Sequence, residues 1–100
     1  MSRQYNFFVY IVTNFHKNVI YVGMTNDLER RIYEHETGMY KSFTKKYNCY
    51  YLVYYEHFTH VQNAINREKQ IKKWRREKKD RLIHAFNPKW HFLNREIENI

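Results

Sequence analysis

Two short apolar runs separated by a polar stretch constrain this chain more than any other feature of it. Phe7 to Val12 and Val19 to Met24 are rich in β-branched and aromatic residues and show no polar face in alternation, so both read as strands of a sheet covered on both sides. Between them Thr13-Asn14-Phe15-His16-Lys17-Asn18 is polar enough to turn. A hairpin centred between Phe15 and His16 predicts Tyr10 opposite Tyr21. Because side-chain direction has period two, both phenols then point to one face, and a slip of two residues preserves this. Tyr50 to Tyr55 reads as a third strand, closed by Glu56.

Asn26 or Asp27 is placed to cap a helix that runs to about Thr37 and is stopped by Gly38, with Leu28, Ile32 and Tyr33 facing inward. Arg31 and His35 stand four apart on it and share a face next to the buried one. Met39 to Asn48 reads as a polar loop carrying Lys45 and Lys46. Thr59 is the expected N-cap of a helix from His60 to about Arg76, with Val61, Ala64, Ile65 and Ile71 on its packed face. Position 68 belongs to that stripe and holds Glu68. A carboxylate where the periodicity asks for a hydrophobe is either paired with a buried cation or placed for chemistry. Leu82, Ile83, Ala85 and Phe86 indicate a further helix ended by Asn87-Pro88, and Trp90 to Ile97 a short amphipathic one.

The 100 residues leave room for one modest core, so a single domain over 1–100 is expected, and no linker, repeat or low-complexity tract divides it. Cys49 is the only cysteine, which excludes a disulfide framework and a Cys-based zinc site and favours a reducing, cytoplasmic location. No apolar run is long enough to cross a bilayer, and none is followed by a small-residue cleavage site. With Gly23 and Gly38 as the only glycines, a phosphate-binding glycine loop is excluded; the six histidines are dispersed, and no Ser/His/Asp order is present.

Eighteen Lys and Arg against ten Asp and Glu leave a net charge of +8, which draws polyanions through counterion release and makes nucleic acid the leading partner. Much of the excess lies between Arg67 and Arg81, around Trp74. Lys72, Lys73, Arg75, Arg76, Lys78 and Lys79, with Lys45 and Lys46, are the candidate phosphate contacts; the competing reading is a solvated charged face. Trp74 is placed either to stack on a base or to close the core. No obligate protein partner is evident.

Val9-Tyr10-Ile11 and, ten positions after Ile11, Tyr21-Val22-Gly23 are followed by Leu28-Glu29-Arg30-Arg31-Ile32-Tyr33-Glu34-His35 and by Ala64-Ile65-Asn66-Arg67-Glu68-Lys69-Gln70-Ile71-Lys72. This ordered set resembles the GIY-YIG nuclease superfamily, and within it the small stand-alone bacterial members. The resemblance implies an α+β fold, a three-stranded antiparallel sheet flanked by helices. It implies an active site in which Tyr10 and Tyr21 match the motif tyrosines, Arg31 the helix arginine, His35 the residue one turn on, and Glu68 the metal-binding glutamate. These five side chains are expected on one solvent-open face of the sheet. Gly23 matches the motif glycine and Asn87 a late asparagine. Val9 departs from the pattern in replacing the first glycine, and Asn87 departs in preceding Pro88.

The activity implied is metal-dependent hydrolysis of phosphodiester bonds in DNA, with repair or processing of structured DNA as the setting. Glu68 suits one Mg²⁺ or Mn²⁺ that keeps several waters, and Tyr10 or Tyr21 is the candidate base; the residues leave open which. The alternative is a nucleic-acid-binding module on the same fold with little or no turnover. Each residue also has a plain structural role open to it: the phenols in the core, Gly23 at a bulge, Glu68 in an ion pair with Arg31.

Overall fold

Phe8 to Val12 is apolar at every position, and such a segment is stable in water only with a layer over each of its faces. In the computed structural model, which describes residues 5–40 and 42–98, it forms most of β1 (Phe7–Thr13), the central strand of a three-stranded antiparallel sheet. β2 (Ile20–Thr25) pairs on one side and β3 (Tyr51–Phe58) on the other. Helices α1 (Leu28–Glu36), α2 (Ser42–Lys46), α3 (Val61–Lys73) and α4 (Arg76–Phe86) complete an α+β fold. Among the described residues, no helix is long and apolar enough to cross a membrane.

The pleat sends Phe8, Tyr10 and Val12 to one face, where they pack with Leu28 and Ile32 of α1 and with Leu93 and Ile97 of the C-terminal segment. Val9 and Ile11 point the other way, against Ala64 and Ile71 of α3 and Ile83 of α4. The pairing of β1 with β3 slips between Ile11 and Val12, so that Tyr54 faces Ile11 and Leu52 faces Val12, leaving Val53 as the extra residue.

The hairpin register differs from the one expected. Tyr10 lies opposite Gly23 and Val12 opposite Tyr21. The side-chain oxygen of Asn14 accepts from the backbone N–H groups of Asn18 (3.0 Å) and Val19 (3.1 Å), and Lys17 takes a left-handed φ of 61°. These features hold Asn14 to Val19 as the loop and move the strand centre along by one residue. The resulting slip is two residues, so Tyr10 and Tyr21 keep a common face. Gly23 is regularly paired, not bulged.

Asp27 caps α1 by accepting from the Arg30 N–H at 3.0 Å, an interaction worth about 1 kcal/mol, and Gly38 supplies the left-handed residue (φ 71°) just after it. Leu28, Ile32 and His35 are buried, whereas Tyr33 is 55% exposed because it sits one position round from that stripe. Further departures are local. The expected loop Met39 to Asn48 contains α2, too short to show a periodic pattern. His60 replaces Thr59 as N-cap of α3, without a side-chain hydrogen bond, and β3 continues past Glu56 to Phe58. Extended backbone at Trp74 and Arg75 ends α3 and separates it from α4, and Val61 is exposed. Trp90 to Ile97 is not a helix: Trp90 to Leu93 is irregular and turns begin at Asn94. Its Leu93 N–H donates to the Leu52 carbonyl, and Asn94 bridges the Leu52 N–H and Tyr50 carbonyl, each at 2.8 Å.

Candidate active site

Gly23 shows how closely this region is built. A Cβ placed on it would stand 2.5 Å from both Cζ and Oη of Tyr10, so the absence of a side chain there is what admits the Tyr10 phenol. The phenol, fully buried, meets Nε2 of His35 at 2.9 Å across from α1. The Tyr10 and Tyr21 rings lie 6.5 Å apart, and Tyr21 lies 5.9 Å from His35. Two features read from the sequence therefore converge, the strand face carrying the tyrosines and the helix face carrying Arg31 and His35.

Arg31 is half-buried beside them. Its Nε donates to Glu34 at 3.0 Å and its Nη1 to the Met24 carbonyl at 3.3 Å, which aims the guanidinium at the end of β2. The guanidinium also sits 4.2 Å over the Tyr40 ring. Burial works against its charge, but Tyr10, Tyr40 and Glu34 more than offset this and hold it firmly protonated. Burial pushes the Tyr10 phenol well above its ordinary value, Tyr40 adding to the effect and Arg31 opposing it. Tyr10 and His35 thus form the buried floor of the cluster, contrary to the expectation of five residues on one open face. Tyr21, at the edge of the sheet, is half-buried and reaches the rim.

Glu68 approaches from the opposite layer. α3 packs on the Val9 face, and Glu68 and Lys72 are on its side toward β2. The Lys72 ammonium stands 3.7 Å from the Glu68 carboxylate and 5.7 Å from the centre of the Tyr21 ring. Glu68 is therefore one ammonium away from Tyr21, and it forms its ion pair with Lys72 in place of Arg31. Exposed pairs four apart on a helix are worth only about 0.3–0.5 kcal/mol, so Lys72 holds this carboxylate loosely. Glu56, on β3, accepts from Tyr54 and from Arg67 Nε. Among the described residues, no group of three or more His, Cys, Asp or Glu gathers in one place.

The remaining candidates divide. Lys45, Lys46, Lys72, Lys73, Arg75 and Lys78 are exposed, and Lys79 is half-buried. Arg76 is committed to the protein: it pairs with Asp80 at 2.7 Å and donates to the carbonyls of Asn18 (2.9 Å) and Lys17 (3.2 Å), tying α4 to the hairpin loop. Trp74 is half-buried against the core, with Arg67 and Lys78 over its ring. Asn87 is buried and structural in its contacts. It donates to the carbonyls of Val53 (3.0 Å) and His91 (2.9 Å) and accepts from the His91 N–H (3.0 Å).

Sequence reasoning missed Tyr40, whose ring lies 4.7 Å from His35, 6.3 Å from Tyr21 and directly under Arg31. The left-handed turn at Gly38 folds Met39 and Tyr40 back on α1, where the Met39 N–H donates to the Glu34 carbonyl at 2.9 Å. An aromatic two residues after a helix-ending glycine was the available signal.

The fold and this cluster define a nuclease-family domain: residues 6–81 match the model described as the GIY-YIG catalytic domain, and the chain belongs to that family. Among its relatives is a UPF0213 protein of Haloquadratum walsbyi, 39% identical over 75 residues that make up 75% of this chain and 83% of the relative. A UPF0213 protein of Clostridium perfringens is 37% identical over 78 residues, 78% of this chain and 84% of the relative. The solution NMR structure of a UPF0213 protein from Bacillus halodurans is similar over 80% of this chain and 84% of that one, with 30% identity and a TM-score of 0.52.

Proposed function

We propose that the chain is a metal-dependent endonuclease that hydrolyses phosphodiester bonds in DNA, with repair or processing of structured DNA as its setting. The observation that carries this reading is the convergence of Tyr10, Tyr21, Arg31 and His35 in one cluster, to which the Lys72 ammonium, between Glu68 and the Tyr21 ring, links the Glu68 carboxylate. The +8 net charge supplies the attraction for a polyanionic substrate.

Phosphodiester hydrolysis needs a water in line with the leaving oxygen, charge relief on the phosphate, and stabilisation of the departing alkoxide. Glu68 is the residue that would hold a divalent cation. A single hard oxygen ligand, weakly held by Lys72, fits Mg²⁺ or Mn²⁺, which bind through one or two carboxylates and keep most of their waters. Such an ion, when bound, supplies charge neutralisation on phosphate oxygens and acidification of a coordinated water.

The chain's own groups have distinct tasks. Arg31 offers a fixed positive charge to a non-bridging oxygen, because its partners outweigh the effect of burial and keep it protonated and oriented. Tyr21 is the phenol that meets the water, being at the rim with the Lys72 ammonium over its ring. Tyr10 is a positioning residue: burial keeps its proton in place, and its oxygen is engaged by His35. Incubation of supercoiled plasmid with the protein and Mg²⁺ or Mn²⁺ tests the reading. Nicked and linear products are expected with either ion and none with EDTA; binding without cleavage at any metal concentration leaves the non-catalytic module as the answer.

A further inference from the structure

The proposed chemistry leaves unused a group of side chains beside Tyr21. Helix α2 carries Phe43, and Tyr47 follows one turn on; the two are 45% and 40% exposed, with ring centres 4.8 Å from one another. The Phe43 ring lies 6.2 Å from that of Tyr21, so the exposed pair is continuous with the candidate active site. Lys46 stands 5.5 Å over the Tyr47 ring, and Lys45 is exposed on the same helix.

Single exposed aromatics are ordinary on protein surfaces. Two adjacent half-exposed rings, one with the Lys46 ammonium over it and the other in contact with Tyr21, combine what a nucleic-acid strand needs from a protein. The rings offer π-faces for bases, and the lysines offer charge for the phosphates between them. Bases within a continuous duplex have both faces covered by their neighbours and cannot use such a surface, whereas an unpaired base can. A duplex-only enzyme would be served by the lysines alone.

From this juxtaposition we infer that Phe43 and Tyr47 form a stacking subsite for an unpaired nucleobase next to the scissile phosphate. The preferred substrate is then DNA with unpaired nucleotides at the site of cleavage. The inference rests on the reading of the chain as a DNA endonuclease and names the substrate class for that same site.

Fluorescence anisotropy in EDTA, with a labelled oligothymidylate and a duplex of the same length, measures binding without requiring cleavage. Tyr47→Leu keeps bulk but removes the π-face, and should weaken oligothymidylate binding roughly 5- to 100-fold while changing duplex binding less than about twofold. Tyr47→Trp should hold oligothymidylate affinity within about twofold of wild type, which separates stacking from folding defects. Phe43→Leu should shift binding in the same direction as Tyr47→Leu. Equal losses on the two DNAs, no loss on oligothymidylate, or failure of Tyr47→Trp to bind would each overturn the subsite. Wild-type protein that binds neither DNA would overturn the nuclease reading itself, a result distinct from these.

Discussion

Replacing Gly23 with alanine puts a methyl group 2.5 Å from Cζ and Oη of Tyr10, well inside van der Waals contact. The phenol cannot yield cheaply, because it is fully buried and its oxygen is bonded to Nε2 of His35. Overpacking of this kind costs about 1–3 kcal/mol, and loss of the buried hydrogen bond adds about 1 kcal/mol. Against this, removing a glycine stiffens the unfolded chain and returns roughly 0.4–1 kcal/mol. The expected net destabilisation is about 1–3 kcal/mol, or a fall in Tm of roughly 5–20 °C for a domain of this size. Urea and thermal unfolding followed by circular dichroism measure it. In a double-mutant cycle with Tyr10→Leu, the glycine substitution should cost less once the phenol is gone, giving a coupling energy of about 1 kcal/mol or more. A Gly23→Ala protein as stable as wild type, or additive costs in the cycle, would refute the close approach of phenol and backbone as the reason for a glycine at this position.

The Tyr10 and Tyr54 phenols are raised above their ordinary 10.0, and burial pushes the Cys49 thiol from 9.0 up to about 11. Each binds its proton more tightly in the folded state, so this stability is complete below the unfolded values and is lost as pH rises through the folded ones. The urea midpoint should decline from about pH 9 upward; a constant midpoint to about pH 11 would contradict it. Asn87→Ala leaves the buried Val53 carbonyl without its donor and should cost about 2–3 kcal/mol, while Asn87→Asp should fare little better, since a carboxylate cannot donate to the carbonyls of Val53 and His91; an unchanged Tm in either variant counts against Asn87 as a lock between β3 and the C-terminal turns. Neutralising Lys73, Arg75 and Lys78 to Gln should flatten the dependence of log affinity on log salt by up to roughly 0.9 for each phosphate no longer neutralised, and superimposable slopes would return these side chains to the role of a solvated face.

Much of the candidate site is legible in the sequence because it depends on periodicities. The common face of Tyr10 and Tyr21 follows from period two and survives the two-residue error in register. The shared face of Arg31 and His35 follows from the helical repeat, and Glu68 stands out as a carboxylate in an apolar stripe. What escapes is set by tertiary contacts. The space that Gly23 leaves for a phenol on the neighbouring strand has no local signature, and neither does the return of Tyr40 onto Arg31. The basic stretch reads as one patch, yet its members separate in three dimensions: Lys72 joins Glu68 and Tyr21, while Arg76 serves the hairpin loop. Trp90 to Ile97 has the pattern of a helix, but its backbone and Asn94 are drawn into hydrogen bonds with the start of β3.

Single-turnover cleavage of labelled DNA by Glu68→Gln tests the central claim most directly. The substitution keeps the shape of the side chain and removes its metal-binding charge, at a position where the ion pair with Lys72 is a weak one. DNA affinity measured in EDTA and the thermal unfolding curve should remain close to wild type, while cleavage in Mg²⁺ or Mn²⁺ should fall to background. A variant that folds, binds and cuts DNA at the wild-type rate would contradict the assignment of Glu68 and, with it, the proposed active site.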